Sequence, residues 1–402
     1  MALTHRTLTH DDLPRFQRMV DAAFLGETPD EGAERYRELF EPDRSLGVFD
    51  GDELIGGGGA QTRDLTVPGG GPRPVAAVTS VGVKPGHRRR GVLTRLMRAQ
   101  LHGLHDEGRE AVAALWASEA SIYGRFGYGL AAEFTRLSVP KNAAFHAGVS
   151  TGDARLREVS RDEAMPHLKA VYEELRPTRT GWLSRTEPSW AHQFADEERD
   201  RGGLSSYRWV LHPDGYAVYR VKQDWQERGP RCELHVREMA ARTPEAHAAL
   251  YRYLLDVDLM GELKFFTASD DPITHLLGDP RLALRTRSDS LWVRLVDVDR
   301  ALAQRRYGSD VDLVLEVSDD FCPWNAGRVR LVIEGGEANA RRVDDAPDVR
   351  LDAQALGAAY LGGTRLTSLA RAQRVREVTP GAVAALSHAF LGDHEPHCPE
   401  VF

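Results

Sequence analysis

One junction, between residues 74 and 104, constrains this chain more than any other feature. The run PVAAVTSVGV, ending at Val83, is apolar and rich in β-branched residues, as a buried strand is. It enters the basic loop Lys84-Pro85-Gly86-His87-Arg88-Arg89-Arg90-Gly91. Beyond Gly91, the residues Val92, Leu93, Leu96, Met97, Leu101 and Leu104 mark one face of an amphipathic helix that should end near Gly108. A loop that turns into a helix N-terminus presents unpaired N–H groups and the positive end of the helix dipole, and together these hold an anion. Arg88, Arg89 and Arg90 add charge, and Gly91, lacking a Cβ, lets a diphosphate approach the backbone. A basic loop alone would be a solvated turn. The strand before it and the long helix after it favour phosphate binding.

The rest of the chain fits an α/β (α+β) class with mixed sheets. Thr9 and Asp12 form a capping-box pattern, after which Leu13, Phe16, Met19, Val20 and Phe24 share a helical face. Asp50, Gly51 and Asp52 read as a hairpin turn, and AVAALWAS as the strand after the long helix. The glycine runs at 56–59 and 69–71 read as strand-end and hairpin flexibility. A similar order returns later. A helix is expected around Ala164 to Leu175, then strands DGYAVYRVKQD and RCELHVREMAA, then a helix capped by Thr243, with the segment from Asp271 through LWVRLVDV finishing the unit. This unit lacks the basic glycine turn, so no cofactor is expected in it. A third pattern follows, with strands VDLVLEVSD, GRVRLVIEGG and EANARRV before the helix DAQALGAAYLGG. The expected division is 1–140, 141–292 and 293–402.

At 402 residues, the chain has room for two or three domains with their own cores. The 52 basic and 60 acidic residues leave a charge of −8, which disfavours nucleic acid as a partner. Cys232, Cys322 and Cys398 are too few and too scattered for a disulfide framework, and suggest a reducing cytoplasm. No signal-peptide pattern and no run of ~20 apolar residues points to a membrane. His394, His397 and Cys398 have metal-ligand types, but Pro396 interrupts them and no second ligand pair accompanies them, so no metal is expected.

Arg88-x-x-Gly91-x-Leu93 resembles the pyrophosphate loop of GNAT N-acetyltransferases, with Leu93 where a small residue is usual. The segment from Ala117 to Gly129, ASEASIYGRFGYG, is similar to the signature of the Eis (enhanced intracellular survival) acetyltransferases of mycobacteria and their relatives. HPDGYAVYRV, YLGG and the final phenylalanine agree along the whole chain. The resemblance implies two tandem GNAT-like domains, only the first active, and a third domain resembling sterol carrier proteins. It also implies a homohexamer. As cofactor contacts it implies Val81, Gly82 and Val83 for pantetheine, Arg89, Arg90, Gly91, Val92, Leu93 and Thr94 beside Arg88 for pyrophosphate, and Ser118 and Glu119. Tyr123 takes the place of the general acid and the carboxylate of Phe402 that of the general base.

Those roles suit direct transfer from acetyl-CoA to an amine, in which the amine loses a proton and the departing sulfur gains one. By itself, Tyr123 fits a packed aromatic in a glycine-rich turn equally well, and Phe402 fits a frayed tail. Neither a G-x-S-x-G elbow nor a cysteine near Tyr123 offers a covalent nucleophile. The family's well-studied members acetylate aminoglycosides in a wide acidic pocket with an aromatic wall. Phe24, Glu27, Tyr36 and Glu400 stand near the matching positions, but Gly26 replaces an acidic residue and Tyr36 a tryptophan. Glu27 and Glu400 could equally be surface carboxylates. The acceptor classes are therefore an aminoglycoside or polyamine, or alternatively a protein lysine. A third reading is a non-enzymatic module for an apolar ligand.

Overall fold

The computed structural model describes residues 3–402, apart from the side chains at 30 and 31. Three sheets organise the chain. The first runs in the order Thr4–Thr7, Ser45–Asp50, Glu53–Val67, Gly71–Val83, Val112–Trp116, Leu291–Leu295 and Gly129–Leu130. The second runs Leu284–Asp289, Glu133–Pro140, Met260–Thr267, Cys232–Ala241, Gly215–Lys222, Arg208–His212 and Arg157–Val159. The third has five strands, Glu337–Arg342, Gly327–Glu334, Val311–Ser318, Val349–Asp352 and Val375–Glu377.

The strand pairing crosses the expected boundaries at 140 and 292. Leu291–Leu295, read as finishing the second unit, lies antiparallel to Val112–Trp116 in the first sheet, with Leu291 opposite Trp116 and Leu295 opposite Val112. Reciprocally, Glu133–Pro140, placed before the boundary at 140, lies antiparallel to Met260–Thr267 in the second. The two units exchange one strand each. The physical reason is burial: Leu291, Val293 and Leu295 enter a continuous core that also takes Val112, Ala114, Leu315, Val317, Leu356 and Phe390, joining the first sheet to the third. Arg294 on the exchanged strand donates to Asp319, and both side chains are closed to solvent.

Local structure follows the sequence closely elsewhere. Thr9 and Asp12 close the capping box ahead of helix Leu13–Phe24, and the long helix spans Val92–Glu107, with Gly108 left-handed at its end. Gly56 to Gly59, by contrast, are not flexible strand ends. They lie inside Glu53–Val67, where a Cβ would come within 2.6 Å of Val92 at Gly56, within 2.9 Å of Val81 at Gly58, and within 2.8 Å of Ser45 at Gly59. The run exists to let the long helix and the neighbouring strands approach.

Candidate active site

Gly71–Val83 runs parallel to Val112–Trp116 only from Val75↔Val112 to Ala77↔Ala114. Beyond that point the strands part. On its other side, the register of Gly71–Val83 shifts between Gly57 and Gly59, and Ser80 there takes a φ of 55°. This bulge bends the strand away from its parallel neighbour and leaves the backbone of Val81 to Val83 facing a wedge. The bulge is pinned from outside: the Tyr36 hydroxyl donates to Ser80 Oγ at 2.7 Å, and burial pushes the Tyr36 phenol up to about 12. Phe24, half exposed at the end of its helix, lies beside Gly82, where any Cβ would come within 2.8 Å of Ala23.

The bottom of the wedge is the loop and the long helix. Gly91, with a φ of 78°, is its N-cap and no side chain caps it, so the N–H groups of Val92, Leu93 and Thr94 have no acceptor within the helix. Val92 is buried against Val48 and Ile55, so only its backbone faces outward. Arg89 and Gly91 are exposed at the mouth, while Arg88 donates to Ala23 O and Arg90 pairs with Asp50 at 2.9 Å. The arrangement fits a diphosphate-bearing ligand whose extended arm lies along Val81 to Val83.

Across the wedge, Ser118 and Glu119 are exposed past the end of Val112–Trp116, and Glu119 is the N-cap of the turn Ala120–Tyr123. Tyr123 is buried, its ring edge-on to Tyr128 at 5.9 Å. Burial, reinforced by Glu119, pushes its phenol up to about 12, so it keeps its proton throughout the neutral range.

The chain end comes back to this region. Phe402 packs partly buried on the core that also carries Trp116. Glu400 is placed differently from its expected role. It is 4% exposed, and its Oε1 accepts from Arg63 Nη2 at 2.9 Å and Arg185 Nε at 3.2 Å, so its charge is closed inside an ion cluster instead of facing an acceptor. Glu27 is exposed after the first helix. Sequence reading missed Ser80, Arg63, Arg185, Gln193 and Glu238; only the glycines opposite Ser80 carried a local signal, as a sign of close backbone approach.

Comparison with known proteins agrees with the wedge. Residues 4–131 and 181–295 each match the family model of an acetyltransferase (GNAT) domain, and 298–399 that of a sterol carrier protein domain. The chain is thus an N-acetyltransferase of the GNAT class, a fold that implies acetyl-CoA as donor. It is 38% identical to N-acetyltransferase Eis of Mycobacterium tuberculosis, over 98% of each chain, and 41% identical to an uncharacterized N-acetyltransferase of Streptomyces avermitilis, over 99% of each. The crystal structure of Eis1 from Mycobacterium abscessus superposes over the full length of both chains with a TM-score of 0.88 at 36% identity. The chain belongs to the Eis family of N-acetyltransferases. Among the described residues, no helix is long and apolar enough to cross a membrane.

Proposed function

We propose that the first unit transfers acetyl directly from acetyl-CoA to a primary amine. The observation that carries this reading is the parting of the strands after Ala77↔Ala114 above a helix N-terminus that no side chain caps. Val81, Gly82 and Val83 would hold the pantetheine arm, Arg88 to Thr94 the pyrophosphate, and Ser118 and Glu119 the far wall. Acetyl-CoA supplies the activated thioester. Tyr123 donates a proton to the departing sulfur, and the carboxylate of Phe402 takes one from the amine, directly or through water. Burial that raises the Tyr123 phenol acts in the same direction on a leaving thiol, so the two stay matched. Cys322 and Cys398 are buried thiols pushed up by burial, the latter to about 12, and make poor acyl carriers.

The acceptor is an aminoglycoside or another polyamine, with a protein lysine as the alternative. Phe24 and Tyr36 provide aromatic walls, and Glu27 and the Phe402 carboxylate are the negative groups left for it. A cytoplasmic homohexamer completes the proposal. Release of CoA over a panel of aminoglycosides, linear polyamines and a lysine peptide tests it; absence of turnover with every amine at saturating acetyl-CoA would refute the transfer reading, and turnover on the peptide alone the polyamine one.

The loop assignment has its own check. A Cβ at Gly91 meets nothing within 4 Å, so a side chain there strains the left-handed backbone by about 1 kcal/mol without clashing. Gly91→Glu places a carboxylate where the diphosphate would lie, and calorimetry should give at least ~10-fold weaker acetyl-CoA binding, about 1.4 kcal/mol. Gly91→Ala carries the strain without the charge and should lose far less. Equal affinities for both variants would remove the anion site from this loop.

A further inference from the structure

The second GNAT unit has a wedge of its own. Cys232–Ala241 and Met260–Thr267 pair in parallel from Cys232↔Met260 to Val236↔Phe265 and then part. The link from strand to helix is only Arg242 and Thr243, and the Thr243 hydroxyl already accepts from Ala246 N, so nothing remains to cradle a diphosphate. The opening is a cavity of about 570 Å³, and one of its walls is the end of the chain: His394, Glu395, His397 and Pro399.

Beyond that wall the tail is held at His397, Pro399 and Glu400. His397 N donates to Thr180 O at 3.0 Å, and the backbone of His397 passes so close to Gly181 that a Cβ there would stand 2.6 Å from its carbonyl oxygen. Gln193 Nε2 donates to Pro399 O at 3.3 Å. Arg185 Nε reaches Glu400 while its two terminal nitrogens bind Glu238 at 3.1 and 2.7 Å. Glu238 also accepts from Tyr216 at 2.8 Å and from Gln193 at 2.9 Å. Arg185 lies over the rings of Tyr172 and Trp190, 4.0 and 4.5 Å from their centroids, and its side chain is fully closed to solvent. Arg63, from the first unit, completes a quartet of two cations and two anions with no net charge. Although burial pushes the Glu238 carboxyl up, Arg185 and Tyr216 hold it below its ordinary value, so it stays an anion for Arg185.

We propose that the second GNAT unit is a clasp for the catalytic tail: Thr180, Gly181, Gln193 and Arg185 fix residues 397–400, and so set where the Phe402 carboxylate stands in the first unit's wedge. Arg185 and Gln193 are positioning residues, and the proposal rests on Phe402 being the proton acceptor. A tail held at Glu400 leaves only Val401 between the anchor and the reacting group, so loosening the clasp moves the carboxylate without touching the acetyl-CoA site.

The test is carried out on the full chain with Arg185→Lys, and with Gly181→Ala as a second variant that displaces the His397 backbone while leaving every charge in place. Two readings are taken: the rate at which a carboxypeptidase releases Phe402, and kcat and acetyl-CoA affinity. The expected result is at least ~10-fold faster release and at least ~10-fold lower kcat, with acetyl-CoA affinity within about twofold of the parent. Release of Phe402 as slow as in the parent, in both variants, overturns the clasp. A chain extended by three residues past Phe402 separates the two readings: faster release in the clasp variants together with full activity of the extended chain leaves the clasp standing and removes Phe402 as base.

Discussion

Tyr123→Phe is expected to lower kcat by ~10² to 10⁴, the usual worth of a general acid, while acetyl-CoA binds as before. The change isolates one proton. The ring keeps its edge-on contact with Tyr128. Folding stability should therefore move by no more than ~0.5 kcal/mol. The sign of the pH dependence follows from the raised phenol: the acid form is present at all pH values below about 12 and is lost only on rising through it. With saturating amine, kcat of the parent should show no alkaline fall between pH 7 and 10. Single-turnover rates of the two proteins decide the matter, and a near-parental rate for the variant would return Tyr123 to a packing role.

Glu400→Ala is expected to cost ~3 kcal/mol of stability, because it leaves Arg63 charged and desolvated with no carboxylate and Arg185 with Glu238 alone. Arg63 and Arg185 have side chains 3% and 0% exposed, so neither can turn out to water without opening the contact between the first two units. Glu400→Gln, which keeps the acceptor oxygen, should lose less than Ala does. Urea unfolding with a probe on the second unit measures both. A loss under ~1 kcal/mol for the alanine variant would mean that the cluster is solvated in solution.

The candidate site was legible where its features are local. The loop Lys84 to Gly91 sits between a strand and a helix that their own periodicities announce, and Tyr123 stands in a turn whose glycines mark it. Glu400 was not legible, since its partners lie 337 and 215 residues away and no local pattern distinguishes a buried carboxylate from a solvated one. The exchanged strands were missed for a related reason: LWVRL is plainly a buried strand, but alternation reveals a face and never a neighbour. Gly56 to Gly59 were read as slack because four glycines in a row look loose, whereas tertiary packing uses the missing side chains.

The exchange of strands has a consequence for the making of the molecule. Val112–Trp116 gains its antiparallel neighbour Leu291–Leu295 only after about 180 further residues have been added to the chain. At ~5–20 residues per second, a ribosome needs ~10–40 s to deliver that neighbour. For that interval, the nascent first unit carries an open edge beside its most apolar strand, the kind of surface that draws other chains. Slowing translation between residues 140 and 290 should therefore lower the yield of native protein more than the same delay placed after residue 300, where both sheets are already closed.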